Sequence, residues 1–312
     1  MLVKSYSGVL KGIQAIKITI EVNVTQGIRF FIVGLADHAI RESQQRIEAA
    51  LSQNGFVWPR YRVVINLAPA DIRKEGTHLD LPMALGIMAA TEQVNVEKLC
   101  RYIVLGELSL DGTVLPVKGI LPMVQMARNE GLRGVIVPLR NQAEAAIIEG
   151  MEVVAVSNLN QAVAFLNGDE NSVIHKSTEA GRSPEDEGEN HLDYSDVSGQ
   201  EAAKRAMVIA VAGFHNLLMI GPPGSGKTML ARRLPTIMPR MTTKEALETT
   251  MIHSVAGRMD LNGGLISQRP FRSPHHTSSH ISIIGGGQSP LPGEISMAHN
   301  GILFLDELPE FP

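Results

Sequence analysis

Apolar positions in the first half of the chain fall into runs of two kinds. "IQAIKITIEV" (13–22), "IRFFIVGL" (28–35) and "RYRVVINLAP" (60–69) are rich in β-branched and aromatic residues and read as strands. Between them "HAIRESQQRIEAALSQNG" (38–55) keeps its apolar residues on one helical face and ends at Gly55, which predicts one amphipathic helix. A helix within "LDLPMALGIMAATEQ" (79–93), a hairpin over "YIVLGELSLDGTVLPV" (102–117) turning at Asp111-Gly112, and a helix "GILPMVQMARNEG" (119–131) follow. Strand "GVIVP", helix "QAEAAIIEG", strand "EVVAV" and helix "NLNQAVAFLNG" close the segment at residue 168. Alternating strands and helices of this length predict an α/β or α+β domain with its own core, here residues 1–168.

The pattern then stops. Residues 169–196, "DENSVIHKSTEAGRSPEDEGENHLDYSD", carry 2 basic and 9 acidic side chains and few large apolar ones. Such a stretch buries too little to offset its ordering entropy and is expected to be an acidic flexible linker. It also explains the net charge of −4, because residues 1–168 carry 16 basic and 15 acidic side chains and residues 197–312 carry 10 and 8. Neither flanking part is acidic, so the overall charge does not exclude a nucleic-acid partner. The beginning lacks the apolar core and small-residue cleavage site of a signal peptide, and no apolar run approaches a membrane span. A single cysteine, Cys100, excludes an intrachain disulfide and a Cys-cluster metal site. A cytoplasmic protein with no membrane partner is expected.

Beyond residue 196 the chemistry is concentrated in two short segments. "HNLLMI" (215–220) reads as a buried strand, "GPPGSGKT" (221–228) as a phosphate loop, and "KTMLARRL" (227–234) as the helix after it. In that motif Gly221, Pro222, Pro223, Gly224, Ser225 and Gly226 form the turn whose N–H groups surround phosphate oxygens. Lys227 reaches the outer phosphates and Thr228 offers its hydroxyl to Mg²⁺. Further on, "ILFLDE" (302–307) supplies an apolar strand ending in Asp306, 79 positions after Lys227, and Glu307. Asp306 is expected to hold Mg²⁺ and Glu307 to polarise the water that attacks the γ-phosphate, making Lys227 and Glu307 the catalytic candidates and ATP with Mg²⁺ the cofactors.

"ADIRKEGTHLDLPMALGI" (70–87) followed by "LGELSLDGTVLPVKGILPMV" (105–124) resembles the proteolytic domain of Lon proteases. Together with "DYSDVSGQEAAKRA" and the segment from Arg269 to Phe311, the arrangement is similar to the magnesium-chelatase-like AAA+ family called ComM or YifB. The resemblance implies a Lon-protease-like α+β domain, then a partial AAA+ P-loop domain over 197–312 built on a parallel sheet. It places Val197, Gly199 and Gln200 beside adenine. Two departures matter. His78 stands where the Lon nucleophile would be and Pro122 where its lysine would be, so the dyad is absent; an improvised Ser109–Lys118 pair is the remaining peptidase candidate. The superfamily also places a polar sensor, an arginine finger and a helical lid after the acidic strand. The chain is therefore expected to be truncated there, and to bind ATP while barely hydrolysing it.

Three function classes follow from the resemblance. One is an ATP-driven homo-oligomer, a hexameric ring when complete, that moves branched DNA in recombination and natural transformation. Another is a subunit coupling ATP hydrolysis to insertion of magnesium into a porphyrin, and the third is a Lon-type peptidase. A whole N-terminal domain favours the first over the second, and His78 and Pro122 speak against the third. Arg269, Arg272 and the Gly/Pro-rich loop at 283–293 are the expected DNA contacts. Adjacent His275 and His276 have no acid or His pair spaced for tetrahedral ligation and are expected to make structural hydrogen bonds.

Overall fold

The computed structural model describes residues 1–169, 176–177, 192–259, 264–287 and 290–311. The chain divides into two compact units, one of residues 1–181 with 257–264 and one of residues 182–256 with 265–312.

The first unit is built on one sheet. Its elements are β1 (Leu2–Lys11), β2 (Gln14–Thr25), β3 (Phe30–Val33), α1 (His38–Arg41), α2 (Ser43–Gln53), β4 (Arg62–Ala68), α3 (Asp80–Ala90), α4 (Val96–Leu99) and β5 (Tyr102–Val104). They continue with β6 (Glu107–Leu108), β7 (Val114–Leu115), α5 (Ile120–Asn129), β8 (Gly134–Pro138), α6 (Gln142–Ala145), β9 (Glu152–Val156), α7 (Leu159–Leu166) and β10 (Lys176–Ser177). Eight strands pair in the order β10-β9-β8-β5-β1-β2-β4-β3. The β1/β5, β5/β8, β8/β9 and β3/β4 pairs are parallel, and β1/β2, β2/β4 and β9/β10 are antiparallel.

Side-chain alternation puts helices on opposite faces of the sheet. Ser5 of β1 donates to the carbonyl of Pro82 in α3, whereas Gly8, of opposite parity, faces Met123 and Met126 of α5. Every residue of α3 is buried, against Ile18, Ile20 and Val22 of β2 among others. A Cβ at Gly86 would lie 2.8 Å from Val22, so only glycine lets α3 approach the sheet this closely.

Several expectations shift. β1, for which the apolar pattern predicts no strand, lies inside the sheet between β5 and β2. The helix expected over 38–55 breaks at Glu42 into α1 and α2, each with its own start. The first arm of the expected 102–117 hairpin is β5, paired with β1 and β8, and only β6 and β7 form a hairpin. Of the expected linker, residues 170–175 and 178–191 lie outside the described residues. Its end forms a 3-10 turn, Tyr194–Asp196, closed by reciprocal bonds between Asp193 and Asp196.

The second unit contains α8 (Glu201–Ala212), α9 (Lys227–Arg233), α10 (Thr243–Val255), β11 (Phe271–Arg272), α11 (His280–Ile284), β12 (Gly285–Gly286), β13 (Leu291–Pro292), α12 (Glu294–Met297) and β14 (Ile302–Leu303). β11 and β14 pair in parallel, and β12 and β13 form a small antiparallel ribbon in the insertion. The strand expected at 215–220 is not formed, and Leu218 and Ile220 are 70% and 90% exposed. A strand exists through its ladder, and among the described residues this run has no paired neighbour.

Candidate functional site

The phosphate-loop glycines adopt the backbone their motif requires. Gly224 and Gly226 have φ of 76° and 87°, in the left-handed region, and no other atom lies within 4 Å of where a Cβ would stand on either. The backbone there is therefore strained for any other residue, although the space beside both glycines is open. Lys227 opens α9 and donates through Nζ to the carbonyls of Gly221 at 2.8 Å and Pro222 at 3.1 Å. This ties the lysine back across its own loop.

The acidic segment comes to the same place. Thr228 Oγ1 donates to Asp306 Oδ2 at 2.8 Å, joining residues 78 positions apart. The parallel pairing of β14 with β11, followed by Phe304 N–H donating to the Arg272 carbonyl at 2.8 Å, carries the chain to Asp306. Phe271 and Phe304 stack beneath it with centroids 6.0 Å apart. Glu307 stands next in left-handed backbone (φ 55°), and its N–H donates to Asp306 Oδ1 at 3.1 Å. The carboxylate of Glu307 meets His276 Nδ1 at 3.1 Å, and His276 stacks on His275 with centroids 4.1 Å apart. No group of three His, Cys, Asp or Glu able to hold a metal occurs among the described residues.

Of the residues expected beside adenine, Val197 packs against the same helix. Val197 is buried in a cluster with Met207 of α8 and Leu230 of α9, flanked by Tyr194 and Met219. Gly199 and Gln200 have φ of 68° and 58° and lead into α8, both exposed. Arg233 at the end of α9 binds the Asp193 carbonyl at 3.0 Å and Asp196 at 3.2 Å, fastening the 193–197 segment to the loop's helix.

The hard oxygen donors Thr228 and Asp306, the open glycine loop and a cation held only by carbonyls fit a Mg²⁺-bound nucleotide triphosphate. The partnership of His276 with Glu307 had no local signature, since the two are separated by 31 residues and neighbouring histidines carry no motif.

Two expected DNA contacts are spent inside the fold. Arg269, 7% exposed, donates to the carbonyls of Pro239 at 2.6 Å and Asn300 at 2.7 Å and pairs with Glu245 at 3.4 Å. Arg272 makes a two-pronged pair with Glu294 at 2.5 and 2.7 Å, which raises its already high pKa. Of the 283–293 loop, residues 288 and 289 lie outside the described residues.

In the first unit, the positions aligned with a peptidase dyad are structural. His78 Nε2 bonds the Gly8 carbonyl at 2.8 Å, and burial holds its pKa below the usual value. Pro122 is buried in the first turn of α5. Ser109 Oγ donates to Asp111 and to the Thr113 carbonyl, closing the β6–β7 turn.

A glycine-rich loop with its Lys-Thr, meeting an Asp-Glu pair at the end of a parallel strand, is the arrangement of a P-loop domain. Residues 193–312 match the family model "Magnesium chelatase, subunit ChlI", and residues 20–141 match "Subunit ChlI of Mg-chelatase". The Competence protein ComM of Haemophilus influenzae is 43% identical over 307 residues, covering 98% of this chain and 60% of that protein. Protein YifB of Escherichia coli is 42% identical over 301 residues, 96% of this chain and 58% of that one. Lon protease 2 of Bacillus subtilis is 30% identical over 122 residues, 39% of this chain and 22% of the protease. The chain belongs to the magnesium-chelatase-like ComM/YifB family. It spans about 60% of the length of the curated relatives it matches.

Proposed function

We propose that this chain carries the ATP-binding site of a ring-forming AAA+ motor which, as a complete protein, acts on DNA. The observation that carries the nucleotide reading is the 2.8 Å bond between Thr228 and Asp306, which unites the phosphate loop with the acidic strand. The N–H groups of the Gly221–Gly226 loop would surround the phosphates. Lys227 would exchange the carbonyls of Gly221 and Pro222 for phosphate oxygens, a stronger charge-assisted partner. Thr228 and Asp306 would hold Mg²⁺, and the bound metal would draw charge from the β- and γ-phosphates. Glu307 would orient the attacking water, with Val197, Gly199 and Gln200 bordering adenine.

The DNA reading draws on similarity to the Competence protein ComM, whose name ties that protein to competence. A second reading, metal insertion into a porphyrin, draws on the names of the two family models. The full-length protein with ATP and a labelled four-way junction separates them. Junction migration that is lost in Glu307→Gln supports the motor. Metallation of a porphyrin with the partner chelatase subunits, without any DNA binding, assigns the second reading instead.

A further inference from the structure

With Arg269 and Arg272 neutralised internally, the cations free to meet a polyanion lie elsewhere. One group of them surrounds a recess at the free edge of the eight-stranded sheet. β3 ends the strand order, and beside it Gly27, Ile28, Arg29, Phe31 and Arg62 line a recess of about 380 Å³. Phe31 is 40% exposed and Ile28 89% exposed. The Arg62 guanidinium carbon stands 5.3 Å from the centre of the Phe31 ring.

The chemistry around this recess is one-sided. No acidic residue occurs between Glu21 and Asp37 or between Glu48 and Asp71, the two stretches that contain Arg29, Arg60 and Arg62. Glu21, the one acid on β2, is engaged by Lys4 at 3.3 Å and by Asn66 at 3.0 Å. Among the described residues none of the three arginines has a carboxylate partner. Two guanidinium groups that line a recess with an exposed ring, and that have no carboxylate partner among the described residues, are complementary to a chain of phosphates interspersed with flat rings.

The geometry points to a binding site for single-stranded nucleic acid at this edge. Phosphates meet Arg29 and Arg62, and an unpaired base stacks on Phe31, extending the Arg62–Phe31 stack already present. Duplex DNA would satisfy the arginines but not the ring, because its bases are already stacked. An acidic peptide would likewise use the charges alone. The inference deepens the DNA reading above by naming a strand-binding surface, yet it requires neither nucleotide nor a ring.

The test is fluorescence anisotropy of this chain with a labelled oligo-dT of about a dozen nucleotides, without ATP. Binding is expected to weaken with salt with a log–log slope of about −1.4, for two phosphate contacts on a single strand. Arg29→Ala with Arg62→Ala should weaken it roughly tenfold or more and flatten that slope. Phe31→Leu should weaken it several-fold at unchanged slope, and Phe31→Tyr should restore it, which separates loss of the ring from loss of the fold. Lys227→Ala should leave oligonucleotide binding unchanged, so failure here is distinct from failure of the nucleotide reading. Absence of binding, equal displacement by polyglutamate, or a Phe31→Leu variant that binds like the parent overturns the assignment.

Discussion

Two lysine-glycine motifs in this chain have opposite fates. In K-E-G-T-H (74–78) Lys74, Gly76, Thr77 and His78 each bond to another part of the fold. Lys74 is fully buried and donates to the Pro69 carbonyl, the Gly76 N–H donates to Asp37 at 3.0 Å, Thr77 donates to Glu107, and His78 bonds Gly8. Two residues on, Asp80 is fully buried and held by Arg46 at 2.7 and 2.9 Å. In G-S-G-K-T (224–228) the lysine is only half-buried, tied to two carbonyls of its own loop, and the glycines face open space. A motif whose donors are consumed by the core supports structure, whereas one whose donors are held loosely at a surface is ready for a ligand.

Breaking the buried set should have the largest effect. Arg46→Met leaves Asp80 uncompensated in the core, and loss of about 3–5 kcal/mol of stability is expected in chemical denaturation. Burial already pushes the Asp80 pKa up to about 6 in spite of Arg46. A loss under 1 kcal/mol would show that the pair is peripheral to the first unit.

A smaller effect is expected at the loose site. Asp306→Asn should weaken ATP affinity roughly tenfold in Mg²⁺ and far less in EDTA, because it removes charge only from the metal's partners. Equal weakening in both conditions would contradict its assignment to the metal.

His78 gives the comparison a pH dependence. Its folded pKa is depressed by burial, so the unfolded chain takes up the proton first and stability falls as pH drops through about 6.5. Asp80 acts in the opposite sense, since an acid with a raised folded pKa gains stability as pH falls below about 6. Thermal melts at pH 7 and pH 5 should therefore show a greater acid-side loss in the parent than in His78→Gln. An equal loss in both would remove His78 from the account.

The smallest effect belongs to the unpaired run before the phosphate loop. Ile220, 90% exposed, should tolerate Ile220→Ser within about 0.5 kcal/mol. By contrast Ile65→Ala, in the core of the first unit, should lose about 2–5 kcal/mol. Similar losses at both positions would mean that the run is packed in solution.

What could be read from the sequence follows the range of the interactions. The glycine-rich loop is a local motif, so the left-handed Gly224 and Gly226 and the start of α9 at Lys227 follow from short-range spacing. β2, β4, α3, α5, β8 and β9 carry enough periodic apolar residues to be seen one at a time. β1 carries no apolar run because Ser5, Ser7 and Gly8 interrupt it, so only its pairing with β2 and β5 makes it a strand. β5 was merged with a hairpin because pairing with β1 and β8 depends on distant segments. Arg269 and Arg272 looked available because a sequence does not display Glu245, Glu294 or the carbonyls that neutralise them. The contact of Glu307 with His276 was hidden for the same reason.

The central claim is that the loop at 221–228 is a nucleotide site while the similar motif at 74–78 is structure. Titration of a fluorescent ATP analogue with Mg²⁺ into the parent chain, Lys227→Ala and Lys74→Met tests it most directly. Lys227→Ala should lose roughly 10- to 100-fold in affinity with an unchanged melting temperature, as expected for one charged hydrogen-bond donor to phosphate. Lys74→Met should leave the affinity of the folded protein unchanged. Unchanged affinity in Lys227→Ala, or a loss in Lys74→Met without unfolding, would contradict the account.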